Sequence, residues 1–132
     1  MGKRQNISSG ALWEDIHGYS RAVRTGDHVF VSGTVASDDQ GRVIAPGSLY
    51  GQTAAALQKI ARALAAAGAT LDDVVRTRIY VTDIERWQEV ARAHSEVFGA
   101  IRPASTMLEV SRLIGPEYLV EIEAEAVIGA RP

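Results

Sequence analysis

Glutamates stand at every second position near the C-terminal end of the chain, at Glu121, Glu123 and Glu125. Because successive side chains of a β-strand point to opposite faces, this spacing places all three carboxylates on one face of a sheet. A carboxylate in such a row, Glu121 in particular, could hold a water or carry its proton. It could equally form an ion pair with Arg76 or Arg78, which share a face of another predicted strand. The pattern leaves both roles open.

Other reactive side chains lack the spacing of a defined site. The three histidines, His17, His28 and His94, do not follow metal-ligand spacing, so we expect no metal. His94 falls on the apolar stripe of a predicted helix, which favours a packed, hydrogen-bonded histidine. The chain has no cysteine, which excludes thiolate metal sites and a cysteine nucleophile.

Composition limits the class of protein and its partners. The 132 residues, 46% of them hydrophobic, suit one domain over residues 1–132, with a partly irregular N-terminal segment at 1–17. A formal net charge of -2 disfavours nucleic-acid binding. The polar N-terminus and the absence of a long apolar run predict a cytoplasmic protein with no signal peptide and no membrane span.

Hydrophobic periodicity predicts the order β-β-α-β-α-β-β, with room for a short N-terminal strand before it. The expected strands are 19–24, 28–33, 74–82, 104–110 and 119–128, and the expected helices are 49–67 and 84–98. Ser48 is expected to cap the first helix, and Gly68 and Gly99 to end the two helices. The core stripe of the second helix is expected to be Trp87, Val90, Ala91, His94 and Phe98.

These elements predict an α+β fold in which two helices pack on one face of a mixed sheet. The covered face is aliphatic, with Val120, Ile122 and Ala124 on the last strand. We expect the other face to gather Arg76, Arg78, Tyr80, Met107, Glu109, Leu119, Glu121, Glu123 and Glu125. Such a face is either solvated, with cross-strand ion pairs, or an assembly interface that lines clefts.

Three stretches of the chain resemble the Rid superfamily, whose members are called RidA, YjgF, endoribonuclease L-PSP or enamine/imine deaminase. The stretches are Gly18-Tyr19-Ser20, Gly26-Asp27-His28-Val29-Phe30-Val31-Ser32-Gly33, and Arg102-Pro103-Ala104 through Val120-Glu121-Ile122-Glu123-Ala124. The similarity extends over residues 18–128 and includes the order and lengths of the elements. The chain is on this basis identified as a member of the superfamily.

The resemblance implies a chorismate-mutase-like (RidA/YjgF-like) fold that assembles as a homotrimer. The sheets would form a barrel-like core with the helices outside, and small-molecule ligands would bind in clefts between subunits. RidA members hydrolyse reactive imines and enamines to a 2-oxo acid and ammonia. They need no cofactor, so we expect none here.

The family's working residues are assigned one position at a time. The cleft tyrosine corresponds to Tyr19, and the backbone that lines the cleft corresponds to Ser32 and Gly33. The glutamate that positions the hydrolytic water corresponds to Glu121. The next positions of the cleft, after Pro103 and Ala104, correspond to three residues on the predicted strand that follows, Ser105, Thr106 and Met107.

The chain departs from the family at Ser105, where RidA members carry the arginine that binds the substrate carboxylate. Serine cannot supply the charge or the planar fork of arginine, and the loss of such a partner costs on the order of 2–4 kcal/mol. The chain therefore resembles a branch that lacks this arginine. Arg21 or Arg102 could replace it as the anchor, and each could instead be a surface arginine.

Three functions are compatible with these residues. The first is a cofactor-independent hydrolase or deaminase of an imine, enamine or related metabolite. The second is a non-catalytic trimer that binds or senses a metabolite. The third, suggested only by the endoribonuclease label, is RNA cleavage, which the acidic charge balance disfavours.

Overall fold

A computed structural model of the chain describes residues 3–132, and the first two residues of the predicted irregular segment 1–17 lie outside it. The described part contains six strands and three helices, in an α+β arrangement. They are β1 (Gln5–Ile7), α1 (Leu12–His17), β2 (Ala22–Thr25), β3 (His28–Thr34), α2 (Leu49–Ala66), β4 (Val74–Val81), α3 (Trp87–Phe98), β5 (Ala104–Glu109) and β6 (Val120–Val127). Two 3-10 turns, Leu71–Asp73 and Ile84–Arg86, precede β4 and α3.

The strands form one mixed sheet in the order β1-β2-β3-β6-β4-β5. Neighbouring strands are antiparallel except for β4 and β5, which are parallel. The apolar residues of α2 and α3 pack with the aliphatic face of the sheet in one hydrophobic core. The predicted strands, the two long helices and the place for an N-terminal strand are confirmed, except that the first predicted strand begins at Ala22 and not at residue 19. No helix within residues 3–132 is long and apolar enough to cross a membrane.

Helix α2 begins and ends where the sequence predicts. The Ser48 hydroxyl accepts a hydrogen bond from the Gly51 amide at 3.0 Å, which satisfies one of the free amides of the first turn. At the other end Gly68 has a φ of +86°, the left-handed conformation that glycine adopts without a Cβ penalty. Because Leu57, Ile60 and Leu64 are fully buried between these ends, the helix has one fixed face toward the sheet.

Helix α1 lies in the N-terminal segment that was expected to be partly irregular, and the sequence analysis does not predict it. Its apolar residues Leu12, Trp13 and Ile16 are exposed, so the helix has no buried stripe for periodicity analysis to detect. It is held instead by the buried carboxylate of Glu14, which accepts hydrogen bonds from the Ser8 and Ser9 hydroxyls and the Ser9 amide. The helix ends at Gly18, whose φ is +76°.

Helix α3 differs from the prediction at its start. Residues Ile84–Arg86 form a 3-10 turn, so Trp87 becomes the first residue of the helix. Its side chain is 49% exposed, and its expected place in the core stripe is wrong. The buried residues of α3 are Val90, Ala93 and Phe98.

The parallel pairing of β4 and β5 corrects the predicted faces of the sheet. Thr77, Ile79 and Val81 pair with Ser105, Met107 and Glu109, which places the last three residues on the helix-covered side. Met107 packs against the core, and Glu109 accepts a hydrogen bond from the Ile84 amide at 3.1 Å. The expectation that Met107 and Glu109 share the polar face with Arg78 is therefore wrong. The alternation of β5 was predicted correctly, but its register against β4 cannot be read from either strand alone.

Candidate functional site

An irregularity in β3 brings the backbone of Gly33 close to the carboxylate of Glu121. Val31 pairs with Ala124 and Thr34 with Ile122, so the register shifts at Ser32 and Gly33, which lie between them. The Glu121 carboxylate lies against Gly33, because an ideal Cβ at that glycine would stand 2.6 Å from Glu121 Oε2. A residue without a side chain is required for this approach.

Arg21 lies immediately before β2 and reaches the same glycine. Its Nη2 donates a hydrogen bond to the Gly33 carbonyl at 2.5 Å, and the residue is only 9% exposed. Its Nε is buried without a hydrogen-bond partner among residues 3–132. The alternative of a surface arginine is therefore wrong for Arg21. A buried guanidinium with a free donor is suited to receive an oxygen atom of a ligand or of water.

Tyr19 lies beside Arg21, and both residues precede the first residue of β2. The guanidinium carbon of Arg21 is 5.8 Å from the centre of the Tyr19 ring, within the range of a cation–π contact. The Tyr19 amide donates to the Glu14 carbonyl at 3.0 Å, and its ring meets the edge of His17 at 5.7 Å. The end of α1 thus positions the half-buried tyrosine next to the arginine.

Burial raises the pKa of Glu121 above its ordinary value. The nearby charge of Arg21 opposes this rise, that of Glu123 adds to it, and Lys59 opposes it more weakly. A raised pKa brings a carboxyl group closer to the range in which acid–base catalysis at neutral pH is effective.

The arginines of the neighbouring strand β4 do not neutralise the negative charge of Glu121. Arg78 pairs with Glu125 at 2.8 Å and more distantly with Glu123 at 3.7 Å. The Tyr80 hydroxyl also donates to Glu123, at 2.7 Å. Within the described chain no Arg76 or Arg78 nitrogen lies within 4.0 Å of Glu121, so the ion-pair alternative is wrong for this glutamate.

Lys59, on α2, is a member of this group of charges that the sequence analysis did not identify. Its Nζ donates to the Val35 carbonyl at 2.7 Å and to the Ser37 hydroxyl at 2.8 Å. Burial and then the positive charges of Arg21 and Arg62 lower the pKa of Lys59 to about 8. Ala55 and Ala63, four residues away on either side, are both buried, so the lysine lies on an inward face of the helix.

Ser105, which stands where RidA members carry the carboxylate-binding arginine, belongs to a different hydrogen-bonded group. Ser105 accepts a hydrogen bond from the Thr77 hydroxyl at 2.8 Å. The Thr77 hydroxyl lies 3.0 Å from His94 Nε2, and the His94 ring packs on Phe98 at 4.8 Å between ring centres. Burial lowers the pKa of His94. The prediction that His94 is packed and hydrogen-bonded is confirmed.

Arg102 is exposed and has a φ of +56°, and its Nε donates to the Gly99 carbonyl at 3.1 Å. It lines an open depression of about 340 Å³ beside His94 and Pro103. Thr106 pairs with Arg78 on the polar side of the sheet, opposite to Ser105.

Within one copy of the chain, the candidate site residues form two separate groups. Tyr19, Arg21, Ser32, Gly33 and Glu121 lie around the irregularity of β3. Arg102, Ser105, Thr106 and Met107 lie on or next to β5, which β6 and β4 separate from β3. Three interstrand spacings amount to about 14 Å. One copy therefore does not bring the two groups together.

The fold defines the class of the protein. A mixed six-stranded sheet with two long helices on one face is also the architecture of solved YjgF-type structures. The structure of Rv2704, a member of the YjgF/YER057c/UK114 family from Mycobacterium tuberculosis, matches with a TM-score of 0.87 and 52% identity over 96% of this chain and 100% of that one. The YjgF gene product of Escherichia coli matches with a TM-score of 0.82 and 26% identity over 93% and 98% of the two chains.

Sequence comparisons identify the family. The model of the family described as endoribonuclease L-PSP matches residues 11–128. An uncharacterized protein of Streptomyces coelicolor is 36% identical over 126 residues, which are 96% of this chain and 93% of the relative. A RutC family protein of Pyrococcus abyssi is 36% identical over 108 residues, or 82% and 84% of the two chains. The chain belongs to the endoribonuclease L-PSP family, within the Rid superfamily.

Proposed function

We propose that this protein binds a small imine or enamine that carries a carboxylate, and hydrolyses it without a cofactor. The site is the group formed by Tyr19, Arg21, Gly33 and Glu121. The observation that carries the proposal is the convergence of a buried arginine and a partly buried glutamate on Gly33. A cation that can bind the substrate carboxylate then lies beside a group that can move protons.

Arg21 takes the role of carboxylate anchor in place of the arginine that is absent at Ser105. Among the described residues no carboxylate lies within 4.0 Å of its guanidinium, so no ion pair neutralises its charge. A buried charge without an opposite charge is unfavourable. The carboxylate of a ligand would compensate it and would give the free Nε an acceptor.

Glu121 manages the protons of hydrolysis. Its carboxylate takes a proton from water as the water oxygen bonds to the imine carbon, and the imine nitrogen receives a proton. The carbon–nitrogen bond then breaks as the proton of the new hydroxyl passes to the nitrogen, which leaves a 2-oxo acid and ammonia. Tyr19 can donate a hydrogen bond to the ligand or to the water. General acid–base assistance of this type contributes about 10²–10⁴-fold to a rate.

A homotrimer would complete the site. Strand β5 is an edge strand, and most of its side chains are exposed, including Leu108 at 51%. An unprotected edge with an exposed apolar residue favours contact with another chain. In a trimer the β5 edge of a neighbour would bring Arg102, Ser105, Thr106 and Met107 to the group around Gly33. Sedimentation as a trimer would support this part of the proposal, and a stable monomer would contradict it.

The enzymatic test follows the loss of imines. An amino-acid oxidase generates the imines from a panel of amino acids, and semicarbazide competes for them. The wild type is expected to accelerate imine loss. Glu121→Gln should lower kcat by about a hundredfold or more. Arg21→Met should lower kcat/KM by roughly 30- to 1,000-fold, the equivalent of a lost charged partner.

Two matched variants serve as controls for this assay. Glu125→Gln changes a more distant glutamate on the same face, and Arg112→Met removes an exposed arginine. Both should retain the wild-type rate. No acceleration by the wild type across the whole panel, or equal losses in the control and site variants, would contradict the proposed reaction.

Binding without turnover is the second candidate function. It is favoured by the hydrogen bond that Ser105 accepts from Thr77, because the residue at the family's arginine position is then engaged within the fold. A metabolite-binding protein would show a higher melting temperature with a 2-oxo acid while its concentration stays constant. Consumption of an imine in the same sample identifies the enzyme.

A further inference from the structure

A hydrogen-bonded chain of three side chains joins the interior of the fold to the surface at β5. The Thr77 hydroxyl lies 3.0 Å from Nε2 of His94 and 2.8 Å from the Ser105 hydroxyl. Thr77 is fully buried and His94 is partly buried, whereas Ser105 is exposed. A single hydroxyl group therefore separates an exposed serine from an imidazole. The imine hydrolysis proposed above gives none of the three a chemical step.

The hydrogen bonds of this chain can run in either direction. The Thr77 hydroxyl has one proton, so it donates to one neighbour and accepts from the other. When Thr77 donates to Ser105, Nε2 of His94 carries the ring proton and donates to Thr77. When both hydroxyls rotate, Ser105 donates to Thr77, and Thr77 donates to an unprotonated Nε2. In this second arrangement a proton can pass from Ser105 to the ring by way of Thr77.

His94 is suited to receive that proton. Burial lowers the pKa of His94, so the neutral ring, with one nitrogen free to accept, is its main form at neutral pH. Within residues 3–132 no carboxylate oxygen lies within 4.0 Å of the ring nitrogens, so no ion pair favours the protonated form. Packing on Phe98, at 4.8 Å between ring centres, holds the ring in place. A neutral imidazole connected to a hydroxyl group can activate a serine as a nucleophile.

The open depression of about 340 Å³ lies at the exposed end of this chain. His94 lines it, and so does Pro103, which stands two residues before Ser105. Phe98 and Pro103 supply an apolar wall, and a volume of this size is within the range of small-molecule sites. Arg102 supplies positive charge, which stabilises negative charge that develops on a substrate oxygen. The depression therefore offers space for a small acyl compound beside the serine.

We propose that Ser105 is a nucleophile toward acyl esters with a good leaving group, and that Thr77 passes its proton to His94. Oγ of Ser105 bonds to the acyl carbon, and the bond from that carbon to the leaving oxygen breaks. The leaving group departs as an anion with the electron pair of this bond. The Ser105 proton moves to Thr77 while the Thr77 proton moves to Nε2 of His94. The products are an acyl-serine, an imidazolium and the released anion.

Water completes the turnover. Its oxygen bonds to the acyl carbon and one of its protons goes to the solvent, while the bond from that carbon to Ser105 breaks. The serine oxygen recovers a proton from Thr77, and Thr77 takes one from His94. The net change is an ester and water going to a carboxylic acid, the anion of the leaving group and a proton. This activity does not depend on the proposed function, because neither Arg21 nor Glu121 takes part in it.

Covalent labelling tests the nucleophile directly. The wild-type protein is incubated at neutral pH with a small alkyl fluorophosphonate, from which an activated serine oxygen displaces fluoride to form a stable phosphonate ester. Peptide mapping by mass spectrometry compares Ser105 with Ser95, an exposed serine of the same depression whose hydroxyl donates to the Arg92 carbonyl at 3.1 Å. We expect Ser105 to react faster by about a hundredfold or more, the scale of general-base assistance. Equal labelling of the two serines, or none at Ser105, would overturn the proposal.

Two variants test the path of the proton. Thr77→Val keeps the shape of the buried side chain and removes its hydroxyl, and His94→Gln removes the base from a partly buried position. Each should lower the labelling of Ser105 by about tenfold or more and leave that of Ser95 unchanged. The circular dichroism spectrum and the melting temperature report whether each variant is folded. Labelling of Ser105 at the wild-type rate in folded His94→Gln protein would overturn the role of the imidazole.

Turnover is measured with p-nitrophenyl acetate. The wild type should release p-nitrophenolate, and protein quenched during the reaction should carry an acetyl group on Ser105. Ser105→Ala should reduce the release by about tenfold or more, whereas Ser111→Ala, at an exposed serine just after β5, should retain the wild-type rate. No release by the wild type, or release by Ser105→Ala at the wild-type rate, would contradict the proposed activity.

Discussion

Oε2 of Glu121 occupies the space next to Gly33 that a side chain at this position would fill. An ideal Cβ at Gly33 would be 2.6 Å from this oxygen and 3.0 Å from the carboxyl carbon. Arg21 donates to the carbonyl of the same glycine. The placement of both candidate functional groups therefore depends on a residue that contributes backbone alone.

Gly33→Ala should impair the site more than the fold. The φ of Gly33 lies outside the left-handed region, so alanine fits the backbone, and the atoms it meets are the end of a flexible side chain. We expect the free energy of unfolding to change by less than about 1 kcal/mol, measured in urea. The displaced carboxylate should lower imine hydrolysis by about tenfold or more. Unchanged activity would show that Glu121 does not need its observed position.

Glu121→Gln should raise stability at neutral pH. Burial raises the pKa of Glu121 in the folded state above its unfolded value of about 4.3. The folded protein therefore favours the protonated carboxyl, and this contribution is present below pH 4 and is lost as the pH rises through the folded-state pKa. Glutamine imitates the protonated form at every pH. The melting temperature of the variant should exceed that of the wild type at pH 7 and match it near pH 4.

Glu123→Gln is the matched control for this pH dependence. Glu123 accepts a hydrogen bond from Tyr80 and lies 3.7 Å from Arg78, so its charge has partners in the fold. Its replacement should not raise the melting temperature at pH 7. If Glu121→Gln behaves in the same way as this control at both pH values, then the glutamate at the site is not destabilised by burial.

Asp73 should be a strong determinant of stability outside the site. Its fully buried carboxylate accepts hydrogen bonds from the Thr70 amide at 2.9 Å, the Gly129 amide at 3.1 Å and Arg131 at 3.2 Å. It thus joins the 3-10 turn before β4 to the C-terminal residues. Asp73→Asn is expected to cost about 2–4 kcal/mol at pH 7, because it removes a buried, hydrogen-bonded charge. Asp72→Asn, at an exposed neighbour, should cost less than about 0.5 kcal/mol.

The effect of Asp73→Asn should depend on pH in the opposite sense to that of Glu121→Gln. Burial tends to raise the pKa of Asp73, but the hydrogen bonds from Thr70, Gly129 and Arg131 outweigh it and lower the pKa. The stabilisation is present above the unfolded-state pKa of about 3.9 and is lost as the pH falls through the folded-state value. Urea unfolding at pH 7 and at pH 3 should show a smaller difference from the wild type at the lower pH.

Local patterns predicted most of the fold. The period-2 alternation of β6 and the helical spacing of α2 report directly on which side is buried. Ser48 marks the start of α2 by its capping hydroxyl, and Gly68 marks its end by its left-handed backbone. Helix α1 was missed because a buried glutamate holds it in place of an apolar stripe. The faces of Met107 and Glu109 were assigned wrongly because they depend on a parallel register between two distant segments.

The candidate site was predictable only in part. The resemblance identified Tyr19, Gly33 and Glu121, which the structure brings close to Arg21. The burial of Arg21 and the position of Lys59 arise from the packing of β2, β3 and α2 around one irregularity. No spacing within a single element encodes such a meeting of distant residues.

A crystal structure with a bound 2-oxo acid, such as 2-oxobutanoate, tests the account most directly. The ligand carboxylate should lie within about 3.2 Å of the Arg21 guanidinium, with its C2 carbon facing Glu121. A neighbouring copy should close the other side of the cleft with its β5 edge. Ligand bound only beside Arg102, with Arg21 still donating to Gly33 alone, would contradict a site built on the arginine and glutamate that converge at this glycine.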